Sequence, residues 1–389
     1  MTQTIQSAGY LESKKHYQIL DGLRGVAAIM VVAFHVLEAF AGGDRFHQII
    51  NHGYLAVDFF FILSGFVVAY AYDDRWGKMT TWQFFKRRLV RLQPMVIMGS
   101  IVGAALFYCQ QGAAFPLIAD TPAWKMLLLM IVGFTLIPVT PAMDIRGWQE
   151  MHPLNGPAWS LFFEYIANVL YALVIRRLPR IALTVLVVLF GGLLVHYCVT
   201  GTQGDVIGGW SVDKTQLRIG FTRMLFPFFA GVLLCRMGKI IRLKHAFWLC
   251  SLLLIVVLSL PRFGGKEHLW LNGLYESFCI IAVFPLIVAS GAGGSLTGSY
   301  SAATCRFLGE ISYPLYITHY PLIYTFTAWV TNHKVSLKSG LPVGFLLVVA
   351  AIALAYACGK LYDAPVRDWL TRKFLMQRTR TSMPSDPEY

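Results

Sequence analysis

The chain has 389 residues, 56% of them hydrophobic and only 14% charged, where an ordinary soluble domain carries about a quarter charged residues. That balance excludes a water-soluble globule and describes a polytopic membrane protein. A net charge of +13 raises nucleic acid as a partner, but no basic run is interleaved with aromatic residues, so the excess charge is assigned to membrane topology and no nucleic acid is expected.

Residues 1–18 are polar, carry Lys14 and Lys15 and have no cleavable apolar core, so they read as a cytoplasmic tail. The first apolar window, 19–41, contains DGLRGVAAIMVVAFHVLE. Its Arg24 and His35 lie eleven residues apart, close to a whole number of turns, so both project from one face. Their separation along the axis is roughly 16 Å, about half the thickness of a bilayer's hydrocarbon core. Ionisable groups inside a span face a bundle interior or a wet cavity, and mark a pathway or a reaction.

Further windows follow at 53–72, 91–109, 157–175, 181–199, 219–235, 246–261, 271–290, 307–330 and 341–361. The segment 124–139 is apolar but short and ends in proline. With that segment not crossing, about twice as many Lys and Arg fall on the cytoplasmic side as outside, which satisfies the positive-inside bias. The sequence therefore predicts an all-α polytopic membrane helix bundle of about ten transmembrane helices with both termini cytoplasmic. Residues 1–18 form a tail, 19–361 one membrane domain, and 362–389 a basic tail whose Arg372, Lys373, Arg378 and Arg380 suit anionic lipid. The seven cysteines are scattered with no CxxC pair or metal-ligand spacing, so they read as small hydrophobes and no metal is expected. The run 291–298 is Gly-rich but lacks the ending of a phosphate loop.

In this topology Asp58 in GYLAVDFFFILSGF and Glu164 in NGPAWSLFFEY reach about the depth of His35. Ser312, Tyr316 and His319 in SYPLYITHYP share one helical face, with His319 near the middle of its span or slightly outward. Four titratable groups from four spans are thus expected within one slab of the membrane, where a shared hydrated cavity explains their burial. Each also has a plainer reading: a snorkelling Arg24, structural acids, or packing histidines. Trp210, Trp270 and His152 either line an outer sugar site or belong to an interfacial aromatic belt. On the inner side, FFKRRLVRLQP sets Arg88 and Arg91 one turn apart, an arrangement that grips phosphate oxygens or merely marks the start of a span.

These residues resemble the acyltransferase 3 family of integral membrane acyltransferases. LDGLRGVAAIMVVAFH is similar to its first helix, with arginine, ten residues and histidine; GYLAVDFFFILSGF resembles its second-helix signature. RRLVR is similar to its Arg-x-x-Arg pair, PAWSLFFE to its Trp-Ser-Leu with a following glutamate, and SYPLYITHYPL to its late Ser-Tyr and His-Pro motif. The resemblance runs in order from about residue 17 to 365. It implies transfer of an acyl group, usually acetyl from acetyl-CoA, to a sugar hydroxyl of a surface polysaccharide, a lipid-linked glycan or, in some members, a small natural product, in the bacterial inner membrane. Partners would be acyl-CoA, a carbohydrate-containing acceptor and the bilayer.

Carried onto this chain, Arg88 and Arg91, with Arg24, hold the phosphates of CoA, and His35 is the catalytic base. Imidazoles titrate near neutrality, which suits proton abstraction from a hydroxyl, and acylation of His35 itself is the other open route. Asp58, Glu164 and His319 are expected to orient the imidazole or bind the acceptor, and Ser64, Trp159 and Tyr316 to contact substrate. A proton-coupled transporter or glycolipid flippase would use similar buried groups, although the sequence shows no inverted repeat.

Overall fold

The computed structural model describes residue 14 and residues 16–296 and 298–376. Most of the 1–18 tail, and Arg378 and Arg380 of the basic tail, lie outside the described residues. Among the described residues the secondary structure is helical, with no strand of a sheet.

Helix α1 spans Gln18–Glu38, α2 Ala56–Tyr72, α3 Thr81–Leu106, α4 Ala123–Gly133, α5 Ala158–Leu173, α6 Arg180–Thr200, α7 Lys214–Met237 and α8 Ala246–Ser259. Helix α9, Trp270–Phe278, continues through a π-turn at Cys279–Val283 into α10, Phe284–Gly293. Then come α11, Ser299–Asn332, and α12, Leu337–Cys358, which passes through a second π-turn into α13, Ala364–Phe374. The end of the bundle where α1 begins is called proximal below, and the end where it finishes distal.

Eight helical segments among the described residues are long and apolar enough to cross a membrane. The expected ten differ from this by α8, which has only 14 residues, and α11, whose 34 residues include Arg306, Glu310 and the buried His319. The short segment of uncertain path is α4; its 11 residues reach roughly 16 Å, half the hydrocarbon thickness. Helix α3 starts ten residues before the apolar window does. A capping box explains this: Thr80 accepts from the Gln83 amide while the Gln83 side chain accepts from the Thr80 amide. The RRLVR arginines consequently lie inside a helix and not at its threshold.

The core is organised by two helix pairs. Helix α1 packs most extensively on α11, and α2 on α7. The second pair touches backbone to backbone: a Cβ on Gly65 would lie 2.1 Å from the Phe228 carbonyl oxygen, and one on Gly231 2.1 Å from that of Ile62. Small residues at such crossings let the helices approach closely, which replaces the hydrophobic drive that lipid does not provide. At the distal end the α4–α5 connection folds over the bundle. Met151 N donates to the Trp210 carbonyl at 2.7 Å and Asn155 Nδ2 to the Ile317 carbonyl at 2.9 Å, tying this connection to the α6–α7 loop and to α11.

Candidate active site

The stacked face of α1 opens into two different chambers. Arg24 lies in the proximal one, His35 in the distal one.

The proximal chamber comprises two adjoining cavities of about 330 and 390 Å³ that share Asp21, Arg24, Arg91 and Tyr313. Arg24 Nε donates to Ser312 Oγ at 2.9 Å and Nη2 to Asp21 Oδ1 at 3.1 Å, which fixes its guanidinium across the α1–α11 contact. Arg88 donates to Glu164 Oε1 at 2.7 Å, and Ser64 Oγ donates to the same oxygen at 3.0 Å. Arg91 is exposed to the chamber and makes no hydrogen bond or ion pair among the described residues. Arg306, Lys360 and Arg367 add further cations; Lys360 meets Glu310 at 2.9 Å and Arg367 meets Asp363 at 3.2 Å.

Two expectations change here. Glu164 was expected beside His35, but it lines the proximal chamber as the partner of Arg88. The reason is the early start of α3, which carries Arg88 far enough into the bundle to meet α5. Arg88 therefore does not form a free pair with Arg91; its charge is already met.

The distal chamber, of about 280 Å³, is walled by α1, α2, α5, α7 and α11 and roofed by the α4–α5 and α6–α7 connections. His35 Nδ1 lies 2.7 Å from Glu38 Oε2, three residues on along the same helix. A carboxylate accepts, so Nδ1 carries the proton and Nε2 is left as the basic nitrogen. The His35 ring stacks on His319 with centroids 5.7 Å apart and meets the Tyr320 ring edgewise at 4.7 Å. His319 is fully buried. Its Nδ1 sits 3.0 Å from the carbonyls of both Leu315 and Tyr316; these only accept, so its Nε2 also presents a lone pair, without a partner among the described residues.

Asp58 does not reach this chamber. It is fully buried under Arg223, whose Nη2 donates to Asp58 Oδ2 at 2.7 Å and to the Tyr54 carbonyl at 2.7 Å. Arg223, not Asp58, lines the cavity. The α2–α7 contact turns Arg223, within the apolar window 219–235, inward onto the acid.

Of the expected substrate-contacting residues, Trp159 lines the distal chamber, Ser64 the proximal one, and Tyr316 both. Tyr316 bonds Ser160 Oγ at 2.7 Å and stands edgewise to Phe60 at 5.4 Å, forming a partition between the two spaces. Trp210 lines the distal chamber; Trp270 is exposed elsewhere, and His152 is buried beside Ser100 and Asn155 in another part of the roof.

Sequence reasoning missed Glu150, a roof residue that lines the distal chamber while 5% exposed. Tyr324 donates to its Oε2 at 2.5 Å and Arg146 approaches that oxygen at 3.9 Å. Burial, only partly offset by Arg146, raises its carboxyl to about 7. Because the folded value lies above the unfolded one, Glu150 contributes stability that is full below about pH 4.5 and is lost as pH rises toward 7, at about 1.4 kcal/mol per unit. Glu150→Gln should flatten that part of the profile of melting temperature against pH. An unchanged slope in detergent-solubilised protein would show the carboxyl to be ionised throughout.

The comparisons bear on this arrangement. A family profile described as an acyltransferase domain matches residues 17–360. The chain is 34% identical over 165 residues to "Protein 2 in picA locus" of Rhizobium radiobacter, covering 41% of this chain and 82% of that protein. It is 23% identical over 381 residues to the peptidoglycan O-acetyltransferase OatA of Listeria monocytogenes, covering 91% of this chain and 56% of that protein. Against the O-acetyltransferase OatA of Staphylococcus aureus it is 22% identical over 391 residues, covering 94% and 60%. The chain thus spans little more than half the length of these two O-acetyltransferases. No solved structure matches it. With the profile covering nearly the whole membrane bundle, the chain belongs to the acyltransferase 3 family.

Proposed function

We propose that the protein transfers an acyl group, acetyl first among them, from acyl-CoA in the proximal chamber to a sugar hydroxyl of a surface polysaccharide or related glycoconjugate in the distal one. The observation that carries this reading is the division of one helix between two chambers: α1 presents Arg24 to a cation-rich cavity and the His35–Glu38 dyad to an aromatic one, with Tyr316 between them. On this reading the proximal end is cytoplasmic, in keeping with the positive-inside bias, and the membrane is the bacterial inner membrane.

The cations suit a polyphosphate. Arg91 and Arg306 carry no recorded ion pair among the described residues, and Arg24 presents a guanidinium already oriented by Ser312 and Asp21. Guanidinium groups bind phosphate oxygens in a bidentate manner, so Arg24 and Arg91 take the phosphates of CoA while its thioester arm extends toward Tyr316. Arg88, already neutralised by Glu164, shapes the wall.

In the transfer step His35 Nε2 takes the proton of the acceptor hydroxyl as its oxygen attacks the thioester carbonyl. The tetrahedral adduct then collapses, the carbon–sulfur bond breaks, and the CoA thiolate leaves with the proton returned by the imidazolium. Glu38 holds the ring and stabilises its transient charge. Water shares the hydroxyl chemistry of the acceptor, and the aromatic lining of the distal chamber limits hydrolysis.

The test is acceptor-dependent release of CoA thiol by purified protein in nanodiscs. Replacing Arg24 and Arg91 together by alanine should raise KM for acyl-CoA by roughly tenfold or more, the equivalent of one lost charge-assisted hydrogen bond, with a smaller change in kcat. An unchanged KM removes the proximal chamber from donor binding. Glycolipid movement without thioester cleavage would replace the enzyme reading by transport.

A further inference from the structure

The lining of the distal chamber narrows the chemistry of its acceptor. Its acids are Glu38 and Glu150, and its cation is Arg223, whose charge is met by Asp58 at 2.7 Å. No free cation faces the space among the described residues, so an anionic acceptor would find carboxyl groups there and no cation to pair with. Flat aromatic faces come instead from Trp148, Trp159 and Trp210, which arrive on separate segments. Trp148 is locked by its Nε1–H donating to the Ala114 carbonyl at 3.0 Å and by its packing on Phe115. At about 280 Å³ the chamber lies at the lower edge of ligand-site volumes, room for one ring and its substituents.

Glu150 is held in this space with unusual care. Arg146, fully buried, donates to the Pro153 carbonyl at 2.9 Å and to Gln110 Oε1 at 2.6 Å, and lies 3.6 Å from the Tyr324 ring centroid. That scaffold presents Glu150 with Oε2 bonded to Tyr324 and Oε1 without a hydrogen-bond partner among the described residues. Gly156 leaves the necessary room: a Cβ there would come within 2.5 Å of Oε1. Oε1 is not among the sealed, unpaired atoms of the core, and Glu150 lines the chamber, where a ligand hydroxyl can replace water on that oxygen.

We infer that the distal chamber takes an uncharged, polyhydroxylated ring, stacked on its tryptophans, and that Glu150 is the residue that orients it by hydrogen bonding to a hydroxyl other than the one that reacts. The inference rests on the acyl-transfer reading for its kinetic test but not for its binding test. A carboxyl near its titration point at neutral pH accepts from one hydroxyl or donates to another, which matches a vicinal diol. Glu150 is thus a positioning residue for the acceptor, distinct from the dyad that moves the proton.

The kinetic test supplies the full chain in nanodiscs with labelled acetyl-CoA and two probes of similar size, neutral cellotetraose and anionic tetragalacturonate. Transfer should favour cellotetraose by tenfold or more, and Glu150→Gln should raise KM for cellotetraose roughly tenfold while changing kcat less than threefold. Preference for tetragalacturonate, or an effect of Glu150→Gln confined to kcat, overturns the inference. The binding test uses saturation-transfer NMR of cellotetraose on His35→Ala, which needs no turnover. Signal that disappears when Glu150→Gln is added supports the assignment; signal that persists, or is absent from His35→Ala itself, overturns it. Glu150-dependent binding in a wild-type protein that cleaves no thioester would keep the acceptor site and reject the acyl-transfer reading. The melting temperature of Glu150→Gln at pH 5, expected within a degree or two of wild type, separates these effects from misfolding.

Discussion

Replacing His35 by alanine lowers acyl transfer by roughly 10²–10⁴-fold, the usual contribution of a positioned general base, and leaves the bundle folded. The fold survives because the imidazole's hydrogen bond is to Glu38, on its own helix, and because it is 17% exposed to the chamber; its removal strands no buried partner. Glu38→Gln gives a smaller loss, since the amide still holds the ring but no longer stabilises the imidazolium. It lowers kcat with little change in KM for either substrate, a split that a packing role would not produce. Retention of more than a tenth of the wild-type rate in inserted, correctly folded His35→Ala protein removes the histidine from the chemistry. His319 then becomes the next base to test, because its unpartnered Nε2 lies in the adjoining ring.

The second large effect is on stability. Asp58→Ala or Arg223→Ala should each destabilise the protein by about 3–5 kcal/mol, because each leaves an uncompensated charge in the core. Arg223 is 2% exposed and Asp58 fully buried. Arg223 also caps the Tyr54 carbonyl and approaches that of Gly208 at 3.3 Å, so its loss releases two stretches of the distal wall. The double variant Asp58→Leu with Arg223→Met should recover part of the loss, since two matched apolar side chains avoid burying a lone charge. Thermal unfolding in detergent, followed by size-exclusion chromatography, reads all three. Single variants as stable as wild type would mean that the chamber admits enough water to solvate either partner, and Asp58 would return to the list of chemically active groups.

These two cases show which parts of the site were legible in the sequence. The α1 face was legible because helical periodicity alone sets eleven residues to three turns, and no neighbouring helix is needed to deduce it. Depth along a span singled out Asp58, Glu164 and His319, but it was read wrongly for Glu164, which lies on the proximal side of Tyr316. Rotation about the axis and the identity of the partner helix were not legible. Asp58 turned toward α7 and Glu164 toward α3, each meeting an arginine. A hint existed: an arginine within an apolar helix needs an acid, and Arg223 and Asp58 were available to each other. The capping box at Thr80–Gln83 was a second overlooked signal, and it would have drawn Arg88 into α3 from the start. Glu150 gave no such hint. Its placement depends on Arg146, four residues before it, and on Gln110 and Tyr324, which come from distant parts of the chain and meet it only when the roof folds over the bundle.

The partition at Tyr316 has an electrical meaning. The two cavities, one cation-rich and one aromatic, approach each other from opposite ends of the bundle and thin the insulating layer to the side chains of Tyr316, Phe60 and Ser160. On the proposed orientation, most of the membrane voltage then falls across these three residues, and a charge moved past them does work of about 2.3 kcal/mol per 100 mV. CoA's phosphates stay on one side of that layer. The acyl group crosses it in one direction and the proton taken by His35 crosses in the other to reach the thiolate, so the completed transfer moves no net charge and is insensitive to the voltage.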